Sequence, residues 1–461
     1  MLRRRDSDID WISALVYRVL PLSPELQRIN ELFPEETIVE AARPFYDDDM
    51  GRPSEDPVVL TKLLFLSFFF NISGDLNILQ TLQYRIDWRQ FCGLSLFDFL
   101  PDRTTLVKFR SRVGSAVIAA WFEDVVDTLK GQGLIDDRHR FFDGTPAKAR
   151  ARISPYRDEI YTEPLESIAT RLAELPSGTV ELTPELNPSP VQLTKTTYSV
   201  DQHEAKTRRE QPMKPVAERR SAGDPEAYFQ RGKHGKTSEL GYEIFFTTDS
   251  KQLFIEDVDV SAEACQGQTI FMEKLKQSRP QQEWSVDAEF STGQILEFAE
   301  TQQVILNTPL RTSASTGLFA KSECVYLAAS DAYTCPNQQM LSHVSTNGKT
   351  EDKTYRAAKG VCDACPLREQ CTTSKTGRSV TRSTYEEQFA RQRDHEKTPQ
   401  AVMGRVLRGI IAEGKFGEAL RHGLKVIRYV GKTMAVMQSQ LVATILNLKR
   451  FIRLEQAGAL T

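Results

Sequence analysis

No stretch of this chain is apolar for long enough to cross a membrane. The longest run, Val58 to Phe70, is interrupted by Thr61, Lys62 and Ser67 and falls short of the roughly 20 residues a span requires. It reads as a buried helix. No apolar segment follows the basic start Met1-Leu-Arg-Arg-Arg, so a secretory signal is not expected and a cytoplasmic location is. A disulfide framework is missing as well: seven cysteines are an odd number, and a chain of 461 residues can bury a core without staples. Nor is there a surplus of charge of one sign. The formal net charge of -3 gives no whole-molecule pull towards nucleic acid, so any such contact must come from local patches. Internal repeats are absent. What is present, 26% charged and 40% hydrophobic residues, is ordinary for a folded protein of two or three domains.

The residues from Asp8 to about Gly133 follow a helical pattern. Pro57 opens one helix in its first turn, and apolar residues recur at three and four from Ile78 to Phe91. In Leu100-Pro-Asp-Arg-Thr-Thr-Leu-Val-Lys-Phe-Arg-Ser-Arg, Asp102 is placed to cap a helix that carries Thr104, Lys108, Arg110 and Arg112. Either this is a recognition helix with its contact end at Thr104, or it is a plain capped surface helix. Phe141-Phe-Asp-Gly-Thr then predicts a short strand ending at an acid. Gly241 to Asp249 and Leu253 to Ser261 predict an antiparallel pair, followed by a helix from Glu263 to Gln277. A strand at Trp284, a helix from Gly293 to Thr301 and a strand at Gln303 to Asn307 come next. This order fits an α/β layer architecture with acids at strand ends. It is the order of ribonuclease H-like nucleases, although other α/β folds share it. Two long helices, Val402 to Arg421 and Lys432 to Arg453, close the chain.

Phosphodiester transfer needs one divalent metal to activate the attacking oxygen and a second to stabilise the leaving one. Mg²⁺ or Mn²⁺ prefers carboxylate oxygens, so a few acids from separate strands and a helix suffice. Asp143 and Asp287 at strand ends and Glu413 on a helix fit that placement. Among 62 acidic residues, position alone does not single them out.

Phe142-Asp-Gly-Thr-Pro-Ala-Lys-Ala, Val286-Asp-Ala-Glu-Phe-Ser-Thr, and Glu413-Gly-Lys-Phe-Gly with Arg421-His-Gly-Leu resemble the three signature blocks of insertion-sequence DDE transposases. The resemblance extends over nearly the whole chain, including Gly51-Arg-Pro-Ser-Glu-Asp-Pro, Pro101-Asp-Arg-Thr-Thr-Leu, Asp224-Pro-Glu-Ala, Gly241-Tyr-Glu and Asn447-Leu-Lys-Arg. It implies an α/β fold: a ribonuclease H-like catalytic core with an all-helical N-terminal domain and inserted segments. It also implies Asp143, Asp287 and Glu413 as ligands of Mg²⁺ or Mn²⁺, two ions per site. The partner would be double-stranded DNA, both element ends and target, with a homodimer acting in the nucleoid. Where the family's second block usually has lysine, glycine and tyrosine after the aspartate, this chain has Ala288, Glu289 and Phe290. Arg408 and Arg421 are each one residue out of step with the basic positions around the third block. Two other readings stay open, a co-opted DNA-binding protein without chemistry and a metal-dependent nuclease that cuts without joining.

Cys335, Cys362-Asp-Ala-Cys365 and Cys371 offer four thiolates with a C-x₂-C knuckle, which suits structural zinc; the alternative is four unliganded thiols. Cys92, Cys265 and Cys324 lack such partners. Basic residues gather in Lys206, Arg208, Arg209, Lys214, Arg219, Arg220, Arg231, Lys233 and Lys236, and again late in Arg421, Lys425, Arg428, Lys432, Lys449, Arg450 and Arg453, which suits phosphate contacts; Arg408, Arg421, Lys449 and Arg450 are the late residues expected to touch DNA. The expected organisation is a helical DNA-binding domain over 1–135 and a catalytic core over 136–310 with a loose insertion near 151–238. A polar, turn-rich cysteine insertion over 311–385 and C-terminal helices over 386–461 complete it.

Overall fold

The computed structural model describes residues 2–4, 9–47, 53–151, 223–230, 239–262, 266–311, 318–348 and 350–459. Most of the insertion near 151–238, with all nine of its basic residues named above, lies outside them, as does Cys265.

The N-terminal part is helical: α1 (Trp11–Val19), α2 (Pro24–Glu31), α3 (Glu35–Ala42), α4 (Pro57–Phe69), α5 (Asp75–Tyr84), α6 (Ile86–Phe91), α7 (Arg103–Phe109) and α8 (Ser115–Gly131). Local chemistry sets several starts. Asp10, Ser23, Asp56 and Asp102 each accept a first-turn N–H at the head of α1, α2, α4 and α7, satisfying donors that the helix itself leaves unpaired. The long apolar run is α4, buried on every side from Pro57 to Phe68, as a helix without a polar face must be. Its one charge, Lys62, lies over the rings of Phe33 and Phe91 and reaches Glu35 at 2.9 Å. Among the described residues no helix is long and apolar enough to cross a membrane.

The central sheet combines β1 (His139–Ala149), β2 (Tyr228–Gln230), β3 (Glu239–Asp249), β4 (Ile255–Ser261), β5 (Glu283–Ser285) and β6 (Ile305–Asn307). β3 runs antiparallel between β1 and β4, while β5 lies parallel to β1 and β6 parallel to β5. β1 is longer than its sequence suggested, because β3 pairs with it from Arg140 to Lys148. Asp143 is therefore mid-strand and not at a strand end.

One face of the sheet carries an aromatic cluster, Phe142, Phe245, Phe271 and Phe290, packed with Trp284 and Leu296 under α9 (Gln266–Lys276) and α10 (Gly293–Thr301). The segment from Val325 to Arg382 departs from the polar, turn-rich reading. It forms a second sheet of β7 (Val325–Leu327), β8 (Ala332–Thr334), β9 (Met340–Thr346), β10 (Lys353–Ala357) and β11 (Ser379–Arg382), antiparallel throughout. Its own small core includes Tyr333, Leu341, Tyr355 and Val380. The chain ends in α11 (Arg368–Cys371), α12 (Glu386–His395), α13 (Pro399–Arg421), the short β12 (Val426–Ile427) beside β1, and α14 (Lys432–Gln456).

The helical part and the sheet share one core. Leu63, Phe65, Trp88 and Trp121 of the N-terminal helices, Ile244 and Phe246 of β3, and Leu441, Ile445 and Leu448 of α14 belong to one buried cluster. Asn447 locks α14 to the edge of the sheet: its side-chain oxygen accepts the N–H of Ile255 at 2.8 Å and its amide donates to the Ile255 carbonyl at 2.9 Å. All these groups are buried. Asn447→Leu leaves a backbone donor and acceptor dry, at roughly 1–3 kcal/mol each, so urea unfolding should show a loss of about 2–6 kcal/mol.

Candidate active site

Strand alternation separates Phe142 from Asp143. Phe142 stacks on Phe245 at 5.2 Å on one face, and Asp143 projects to the other, beneath α13. Asp287 follows β5 and heads a single helical turn, accepting the N–H of Ala288 at 2.7 Å. Phe290, closing that turn, is fixed in the aromatic cluster 5.3 Å from Phe142. The Thr308 hydroxyl donates to the Asp287 carbonyl at 2.9 Å. Hydrophobic packing on one face of the sheet thus positions a carboxylate at its rim.

Helix α13 begins at the cap Thr398 with Pro399 in its first turn. Residues four apart face the sheet. Gly404 lies so close that a Cβ there would be 2.6 Å from the Ser285 hydroxyl and 2.7 Å from the Asn307 amide. Phe416 stacks on Phe246 at 4.9 Å, and Arg408 stands between them over the aspartates. Its guanidinium donates to Asp143 at 3.0 Å and comes within 3.6 Å of Asp287. The Arg408 Nε is buried with no hydrogen-bond partner. Two acids far apart in sequence are thereby brought to one cation.

Glu413 is not brought to them. Five residues from Arg408, it is turned away by roughly 140° around the helix. It is exposed, on a side of α13 that also exposes Val402, Met403, Val406 and Ile410. Among the described residues no three His, Cys, Asp or Glu side chains converge as a metal site. Glu289, the extra acid of the second block, lies in the field of the aspartates. Burial first, then the charges of Glu243, Asp287 and Asp143 against the opposing Arg311, push its carboxyl up to about 7. Several acids are thus gathered here, with Arg408 and Arg311 facing them.

The four cysteines named from sequence line one cavity of about 20 Å³ with Leu341, Val361 and Arg378. N–H groups point at three sulfurs, each at 3.4 Å: Gln339 N to Cys335, the Asn337 amide to Cys365 and Arg378 N to Cys362. Gly377, with φ +86°, allows the close approach, since a Cβ would meet the Cys362 sulfur at 2.9 Å. Burial pushes the Cys371 thiol up, as do Cys335, Cys324 and Cys362 nearby, against Arg378.

The residues proposed for DNA contact divide into two groups. Lys108, Arg112 and Arg421 are exposed, Arg112 lying over the Tyr46 ring. The Thr104 hydroxyl, also exposed, donates to the cap Asp102. Arg110 instead is buried, doubly bonded to Asp75 and 3.9 Å over the Tyr429 ring. Arg450 donates to the Gln252 carbonyl, and Lys449 lies 3.3 Å from His422 and 3.8 Å from Glu418. These three side chains hold the fold together. Sequence reading missed Gly404 and the pairing of Arg408 with both aspartates. The four-residue spacing Gly404, Arg408, Ala412, Phe416 was the available signal.

Residues 16–112 match the family described as "Transposase domain (DUF772)", and residues 334–452 match the family described as "Transposase DDE domain". The chain is a DDE-type DNA transposase. The second match begins in β8 and includes the cysteine cluster, Arg408, Glu413 and most of α14, whereas Asp143 and Asp287 precede it. Dependence on a divalent metal comes with the DDE domain, and DNA is the transposase's partner. No curated protein matches the chain. A piggyBac transposase, solved as a synaptic complex with hairpin DNA, superposes weakly, with TM-score 0.29 and 9% identity over 95% of this chain and 85% of that one.

Gly404→Ala should force α13 off β5 and β6 at about 1–3 kcal/mol, the usual cost of overpacking. Chemical denaturation measures the loss, and unchanged stability would contradict the close approach.

Proposed function

We propose that this transposase binds the terminal inverted repeats of its element and cuts and joins DNA at a site built from Asp143, Asp287 and Glu413 on a ribonuclease H-like core. The observation that carries the reading is the convergence of Asp143 and Asp287 on one guanidinium. Supporting the core is the sheet order β4-β3-β1-β5-β6, three antiparallel strands followed by two parallel ones. The donor set suits Mg²⁺ or Mn²⁺, because it offers hard carboxylate oxygens.

Asp143 and Asp287 would hold the ions, which when bound activate the attacking hydroxyl or water and stabilise the leaving oxygen. The strands fix both carboxylates before DNA arrives. Glu413 completes the set in this reading, which requires α13 to present it to the aspartates in the loaded complex. Thr104, Lys108, Arg112 and Arg421 would contact the DNA backbone, and a homodimer would bring two element ends together.

With a short DNA carrying the element's ends, Asp143→Ala, Asp287→Ala and Glu413→Ala should each lower Mg²⁺-dependent end cleavage and strand transfer by about a hundredfold or more, since several kcal/mol of charge stabilisation are removed. Full activity in all three variants sinks the assignment, and cleavage without joining in the wild type favours the nuclease reading.

For the cysteine cluster the proposal is one structural zinc held by Cys335, Cys362, Cys365 and Cys371. The shared cavity and the N–H groups aimed at sulfur support it. Elemental analysis should find about one zinc per chain, lost with a lower melting temperature on joint Cys362→Ser and Cys365→Ser. Zinc-free protein with an unchanged melt rejects it.

A further inference from the structure

Arg408 is poorly satisfied where it stands. It gives Asp143 one hydrogen bond, reaches Asp287 only at 3.6 Å, and keeps a buried Nε without an acceptor. A guanidinium is most stable when two of its N–H groups meet one carboxylate or phosphate side by side, and neither aspartate is gripped that way. The Asp287 side chain is 51% exposed, so this contact is partly open to water and weak. The arrangement is nonetheless useful, because Arg408 lies between two carboxylates that also share the field of Glu289, and a cation there lowers their mutual repulsion.

We infer that Arg408 is an exchangeable counter-cation: it holds Asp143 and Asp287 together in the metal-free enzyme and, when divalent ions take the carboxylates, turns its guanidinium to a phosphate of bound DNA. The inference rests on the reading of Asp143 and Asp287 as metal ligands. A doubly charged ion displaces a singly charged group that is only half bonded. The freed guanidinium, carried on the helix over the site, then finds in a phosphate the paired acceptors it lacks. Metal loading and DNA engagement are thereby linked through one side chain.

Mn²⁺ binding to the full-length protein without DNA, followed by the electron spin resonance of free Mn²⁺, tests the first half. Arg408→Gln should bind Mn²⁺ about tenfold more tightly, as expected on removing a positive charge from beside the ions. Arg408→Lys, with a single ammonium that cannot span both acids, should fall between Gln and wild type. Melting curves establish that each variant is folded, and the lysine variant carries the test if glutamine does not fold. Duplex DNA binding tests the second half: in Ca²⁺ the Gln variant should bind roughly tenfold more weakly than wild type, and in chelator equally well. Asp143→Asn and Asp287→Asn serve as the separate check, each expected to weaken Mn²⁺ binding. If they weaken it but Arg408→Gln does not strengthen it, the exchange is wrong and the metal site stands. An equal loss of DNA affinity with and without Ca²⁺ makes Arg408 a fixed structural contact and also overturns the exchange. If neither asparagine variant changes Mn²⁺ binding, the metal-ligand reading itself fails.

Discussion

Two ionised carboxylates side by side repel unless a positive charge or a shared proton offsets them, and the middle of this molecule is arranged around that constraint. β1 and β5 run parallel as neighbours, so Asp143 within one and Asp287 just beyond the other arrive at the same rim of the sheet. The aromatic cluster on the opposite face keeps the strands and the turn at Phe290 in place, and so prevents the acids from relaxing apart. Relief comes from above, by Arg408 on α13, and α13 is near enough only because Gly404 lets it settle on β5 and β6. Apolar packing supplies the rigidity, and the acids supply a demand for cations to which Arg408 responds.

Much of this was readable in the residues themselves. The acid after two phenylalanines at Phe141-Phe-Asp and the acid after Trp284-Ser-Val mark places where an apolar strand turns out a charge, and both reach the site. The cap at Asp102 was equally plain, because a short polar side chain before a helical run has one local use. Sequence could not show which way α13 faces. A family pattern chooses Glu413 by spacing, but the side that packs is decided by Gly404 and Phe416 meeting partners more than a hundred residues away. The same limit applies to Arg110, Lys449 and Arg450, which have the composition of a DNA-binding surface and are occupied by Asp75, Glu418 and a backbone carbonyl.

The cysteine segment illustrates the opposite case. Its composition is that of a loop, and its strands are too short and too exposed to show alternation, yet they pair in sequence into a five-stranded sheet. Cys335 follows β8 while Cys362, Cys365 and Cys371 follow β10, so the pairing of β8, β9 and β10 closes the distance between them. The C-x₂-C spacing was legible because two ligands of one ion lie within a single turn. Their long-range partner depends on the sheet.

Helix α14 also decides when the enzyme can exist. Its apolar residues fill the centre of a cluster that begins at Leu22 and takes in the sheet through Ile244 and Phe246, so the earliest helices have no complete core until the last ones are made. During synthesis the N-terminal part must wait with Leu63, Phe65 and Trp121 incompletely covered, and long-range closure of this kind is slow. A chain cut before Lys432 would lack the apolar face that packs on α4 and α8 and so leave that side of the helical part open to water.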